Sequence, residues 1–68
     1  MNLSWQAEVF AMMKDNGISR NDLATAAGVT PEYVSMVLNK RRNPAGAENN
    51  FRAAIQKLLA LKEDNNND

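Results

Sequence analysis

Two helix-start signals, one directly after the other, dominate the middle of this chain. Ile18-Ser19-Arg20-Asn21-Asp22-Leu23 sets a serine three residues before an acid and brackets it with two apolar residues. That is the spacing of a capping box inside a hydrophobic staple, with Asp in place of the usual Glu. Gly28 is the residue type that closes a helix in the left-handed conformation. Val29-Thr30-Pro31 then restarts the same grammar. Thr30 caps, and Pro31 takes the first helical position, where its missing N–H costs nothing. Val29 and Val34 hold the staple positions. Two short helices joined by a tight turn satisfy both signals, one over 20–27 and one from 31 to about 39. Ala24, Ala26 and Ala27 make the first of them thin. Ala24 is small where the next helix must cross it closely.

The flanks read as helices too. Ser4 is a candidate cap for a helix ending near Asn16, with Gly17 as its stop. Trp5, Val9, Met12 and Met13 follow one helical face, which Phe10 widens. After the central pair, Phe51, Ile55, Leu58 and Leu59 form a stripe with Ala54 and Leu61 at its edges. This last helix starts either at Pro44, capped by Asn43, or only near Ala47, because Gly46 weakens the first turn. It should end near Lys62. Residues 1–62 then form one helical domain, and Glu63–Asp68, acidic, rich in Asn and without an apolar residue, is expected to be a disordered tail. No strand pattern or internal repeat interrupts the series, so the expected class is all-α.

Composition removes whole classes of chemistry. The chain has 68 residues, no Cys and no His. Disulfides, thiolate zinc sites, thiol nucleophiles and the commonest general base are therefore absent. No paired carboxylates or glycine-rich phosphate loop replace them, so neither an enzyme nor a cofactor is expected. No apolar run reaches the roughly 20 residues of a membrane span. Glu8 without an early Lys or Arg argues against a signal peptide.

The central residues have a further consequence. The run Arg20-Asn21-Asp22-Leu23-Ala24-Thr25-Ala26-Ala27-Gly28-Val29-Thr30-Pro31-Glu32-Tyr33-Val34-Ser35-Met36-Val37-Leu38-Asn39 resembles the helix-turn-helix of lambda-repressor-like, Cro/repressor-type DNA-binding domains. Lys40-Arg41-Arg42-Asn43-Pro44 is similar to the basic loop that follows the recognition helix there. With the flanking helices the resemblance covers about Met12 to Leu59. It implies a compact bundle of four or five helices whose third helix enters the major groove of double-stranded DNA. It implies base-facing roles for Pro31, Glu32, Ser35 and Met36. It implies phosphate contacts for Arg20 and Thr30 at two helix starts, and for Lys40, Arg41 and Arg42 in the loop. Such domains usually act as dimeric transcription regulators of bacteria, phages or mobile elements. A weak homodimer, a cytoplasmic, nucleoid-associated setting and no small-molecule effector are the matching expectations. The residues read by themselves agree on placement. Helix N-termini offer free N–H groups to phosphates, and adjacent cations displace counterions.

The reading face departs from the family pattern. Pro31 cannot donate a hydrogen bond. Glu32 can accept from a cytosine amino group, yet it also suits the helix dipole and repels phosphates. Met36 offers a thymine methyl only a thioether. Asn39 on this face and Tyr33 at its flank complete the expected base-facing set, and each has a structural alternative: packing for Tyr33, helix capping for Asn39. The thin readout leaves a second function open, a protein-interaction module that keeps the fold and modulates another regulator.

Net charge is zero, from 8 basic and 8 acidic residues, but the zero is not uniform. All the basic residues fall within 1–62 with only 5 of the acids, so that stretch carries +3 and Glu63–Asp68 carries −3. Removing Glu63–Asp68 should therefore tighten binding to nonspecific duplex at low salt, measured by fluorescence anisotropy. Unchanged affinity would deny the tail an electrostatic role.

Overall fold

The computed structural model describes residues 4–65. They form four helices: α1 (Trp5–Asn16), α2 (Arg20–Ala27), α3 (Pro31–Leu38) and α4 (Ala47–Asn65). Each of the first three is capped as its sequence directs. The Ser4, Ser19 and Thr30 hydroxyls accept from the N–H groups of Ala7, Asp22 and Tyr33 at 3.2, 3.0 and 3.1 Å. Asp22 completes the capping box by accepting from the Ser19 N–H at 3.3 Å.

The three short helices also end alike. In each, the residue after the last turn is left-handed, and its N–H and the next one fold back onto the helix's carbonyls. Gly28 has φ +75° and donates to Thr25 O, while Val29 donates to Ala24 O. At the end of α3 Asn39 keeps φ −84°, and Lys40 takes the left-handed place with φ +65°. Lys40 N donates to Val37 O at 3.0 Å and Arg41 N to Met36 O at 2.9 Å. A side chain thus occupies a position that glycine fills at Gly17 and Gly28. The sequence contains no sign of this.

α4 begins at Ala47. Of the two starts the sequence allows, the later one holds because Gly46 sits at φ +83°, outside helical space. Pro44 instead begins a turn closed by Ala47 N donating to Pro44 O at 3.2 Å. The other end overruns the expectation, since α4 continues past Lys62 to Asn65. The Lys62 ammonium donates to the Asn16 carbonyl, fastening the last turns of α4 to the end of α1. The rest of the expected tail, residues 66–68, lies outside the described residues.

The core consists of Val9 and Met13 of α1, Leu23 and Ala24 of α2, Val34 and Val37 of α3, and Ala47, Phe51, Ala54 and Ile55 of α4. Phe51 is its hub. Trp5 meets it edge-on at 6.0 Å and Tyr33 at 6.4 Å. Leu58 and Leu59 of the expected stripe are only half-buried, and Leu61 is 56% exposed. Phe10 is 42% exposed, so it does not widen the inner face of α1. Gln6 is buried instead, at 6% exposure. The buried arc of α1 runs Gln6, Val9, Met13, which turns Phe10 outward at the helical step.

Polar contacts complete the frame. Arg52 donates to Glu8 and to Glu48, each at 2.9 Å, and joins α1 to α4. Those two carboxylates, Glu8 first, hold its guanidinium above the ordinary arginine range. The Asn50 amide donates to Ala27 O at 3.2 Å, so α4 caps the open end of α2.

Lys40→Gly should stabilise the fold by up to about 1 kcal/mol, because left-handed backbone costs an L-residue roughly 1–2 kcal/mol and glycine returns part of that as unfolded-state entropy. Gly28→Ala should destabilise by a similar amount through local backbone strain at φ +75°, with no further clash, since nothing beyond the chain neighbours lies within 4 Å of the new Cβ. Opposite shifts of the urea midpoint check both. Phe51→Ala should cost about 3–5 kcal/mol. That matches the whole stability expected of a domain this size, so cooperative melting by circular dichroism should vanish.

Candidate nucleic-acid interface

α3 is held from beneath. Val34 and Val37 are fully buried, which turns the remaining positions outward or sideways at 3.6 residues per turn. Pro31, Glu32 and Asn39 are exposed, and Ser35 and Met36 are half-buried along the same side. These five residues form one continuous outer face. Tyr33 does not join them. Its ring packs against Phe51, and it lines a shallow pocket of about 320 Å³ with Arg42, Asn43 and Pro44. This agrees with the packing alternative and leaves the ring beside the loop.

Thr30 spends its oxygen on the Tyr33 N–H, and its hydroxyl hydrogen remains available to an acceptor. Asn39 closes α3 by donating its backbone N–H to Ser35 O at 2.9 Å. Its exposed side chain remains free for a further contact.

The loop is more ordered than a string of cations suggests. Arg41 and Arg42 both donate backbone N–H groups to Met36 O, at 2.9 and 3.3 Å. Their peptides are tied to the outer face while their side chains stay exposed. The left-handed turn at Lys40 makes this doubling-back possible. The only acid on α3, Glu32, is in its first turn, at the far end from the three cations. There it offsets the positive end of the helix dipole.

Arg20 lies far from Lys40 in sequence but close in space. Together they line a cavity of about 250 Å³ with Gln6, Phe10 and Asn39. Two residues to which the resemblance gives phosphate contacts thus share one recess. Gln6 was not among the expected site residues. A polar residue at a buried position of α1 can be detected from the sequence only once the inner face of that helix is known.

A family model described as helix-turn-helix matches residues 9–48, more than half of the chain. No curated protein and no solved structure matches it. No described helix is long and apolar enough to cross a membrane. The match spans the end of α1, both central helices, the basic loop and the start of α4, in an all-α architecture. The chain belongs to the lambda-repressor/Cro-like helix-turn-helix family of DNA-binding regulators.

Proposed function

We propose that the protein regulates transcription by laying α3 in the major groove of duplex DNA, with loop 40–42 on the phosphates. The observation that carries this reading is the arrangement around Met36. Its carbonyl receives the backbone of Arg41 and Arg42, so three exposed cations stand at the end of an exposed helical face. Phosphate contacts set the register and a few side chains read bases. Ser35, Asn39 and Met36 carry what readout there is, and Glu32 accepts from a cytosine amino group where one is presented. Pro31 packs against the groove without donating. Arg20 and Thr30 approach the backbone from the starts of α2 and α3. Tyr33 serves through its hydroxyl at the loop edge.

The same face allows a second reading, a regulator-binding module, because Pro31 and Glu32 are weak base readers. A bacterial, phage or mobile-element source and a cytoplasmic, nucleoid-associated setting accord with the family. The expected weak homodimer accords with Leu61 and Phe10, large apolar side chains left exposed among the described residues.

Selection from a random duplex pool tests the main reading. An enriched motif establishes base reading, and its symmetry reports the oligomer. Absence of enrichment, with no salt-sensitive binding to any duplex, favours the protein-binding module. Arg41→Ala with Arg42→Ala should weaken nonspecific duplex binding. It should also reduce the slope of log affinity against log salt by about 2, near 0.9 per cation removed. Anisotropy titrations across a salt series measure both, and an unchanged slope at intact helicity would take the loop out of the mechanism.

A further inference from the structure

Phe10 is 42% exposed although it lies in the middle of α1. It stands between two hollows and lines both. One, of about 310 Å³, lies between α1 and the start of α2 and is lined also by Lys14, Ile18 and Arg20. The other, of about 250 Å³, reaches the end of α3 and is lined also by Leu38 and Lys40. Ile18 and Leu38 are half-buried. An apolar strip from Ile18 through Phe10 to Leu38 is thus left partly uncovered. Scattered apolar side chains on a surface need no explanation, but a continuous apolar patch with a polar rim marks a contact site.

The charge beside the strip has one sign. Lys14 holds its ammonium over the Phe10 ring, 5.8 Å from the centre. Arg20 lines both hollows and Lys40 the second. All three cations are exposed, and among the described residues no carboxylate lines either hollow. Asp22, two residues from Arg20, lines the grooves against α4 instead.

Apolar strip and cations together select the occupant. A purely apolar partner would strip water from three cations without pairing them. A polyanion without apolar groups would pair the cations and leave Phe10 wet. Glu63–Asp68 of this chain supplies acids but no apolar residue. A flat lipid surface cannot enter hollows on both sides of a ring. A peptide with acidic and large apolar side chains meets both demands, and its carboxylates form charge-assisted hydrogen bonds with guanidinium and ammonium groups.

We propose that this strip docks an acidic, apolar-bearing peptide segment of a partner protein. Large apolar side chains of the segment enter the hollows beside Phe10, and its carboxylates pair with Lys14, Arg20 and Lys40. None of Pro31, Glu32, Ser35 and Met36 lines either hollow, so the surface is distinct from the outer face of α3 and the proposal does not rest on DNA reading.

A random peptide library displayed on phage, panned against the full chain, tests this. The enriched peptide is then synthesised with a fluorophore and titrated by anisotropy. Enriched sequences should combine Asp or Glu with Leu, Ile, Phe or Trp. Phe10→Ala should weaken the peptide about tenfold or more, and Lys14→Glu about threefold to tenfold. Both positions are exposed, so the melting temperature should hold. The proposal is overturned if panning enriches nothing, if the enriched sequences are neutral, basic or acidic without an apolar residue, or if the peptide binds folded Phe10→Ala and Lys14→Glu as it binds wild type. Vesicles of phosphatidylserine and phosphatidylcholine are the second probe. Binding to them that Phe10→Ala abolishes, with no peptide enriched, would give the strip to a lipid surface and also overturn the proposal. The DNA reading is judged separately, by duplex titration of wild type and of the Arg41 and Arg42 substitutions, so either reading can fail without the other.

Discussion

The packing of Phe51 sets where everything else can be. Its ring is fully buried, with Trp5 of α1 on one side and Tyr33 of α3 on another, both edge-on. Edge-to-face pairs favour particular angles as well as burial. One side chain of α4 therefore fixes both α1 and α3. α3 is only eight residues long and far below the length at which an isolated helix is stable. It persists because Val34, Val37 and Tyr33 rest on a frame that α4 provides. The outer face of α3 is aimed by the core beneath it.

A second constraint is the way the chain closes each short helix. Gly17 and Gly28 adopt left-handed backbone at little cost, and both precede apolar residues that return to the core, Ile18 and Val29. The third closure uses Lys40 and is followed by Arg41 and Arg42, which stay in solvent. The motif is the same, but its last residues are charged where the others are apolar. That difference turns a structural closure into a displayed cluster of cations.

Much of this was legible from local chemistry. α2 occupies the residues its cap and its glycine delimit, and α3 starts at the proline that follows its threonine cap. Caps act over three or four residues, so their reach matches what a linear reading can see. Legibility fell where neighbours decide. Phe10 left the inner face of α1 on which it was expected, and the buried arc took in Gln6 instead, because the helices packed against α1 decide which of its arcs is covered. α4 runs past its expected end to Asn65, and near that end Lys62 meets Asn16, 46 residues away in the chain. Tyr33 lay on the boundary of two faces, and the aromatic contact from α4 drew it in.

The sequence by itself determined an all-α chain, the helix-turn-helix in its register, and three consecutive cations just past the second helix of that motif. Those features depend on hydrogen bonds and backbone preferences among residues a few positions apart. The tertiary structure alone decided that Arg20, Asn39 and Lys40 meet Gln6 around one recess, that Tyr33 faces inward, and that Lys40 bears the left-handed turn. These depend on packing between helices, where burial of Phe51, Leu23 and Ile55 outweighs the preference of any single residue.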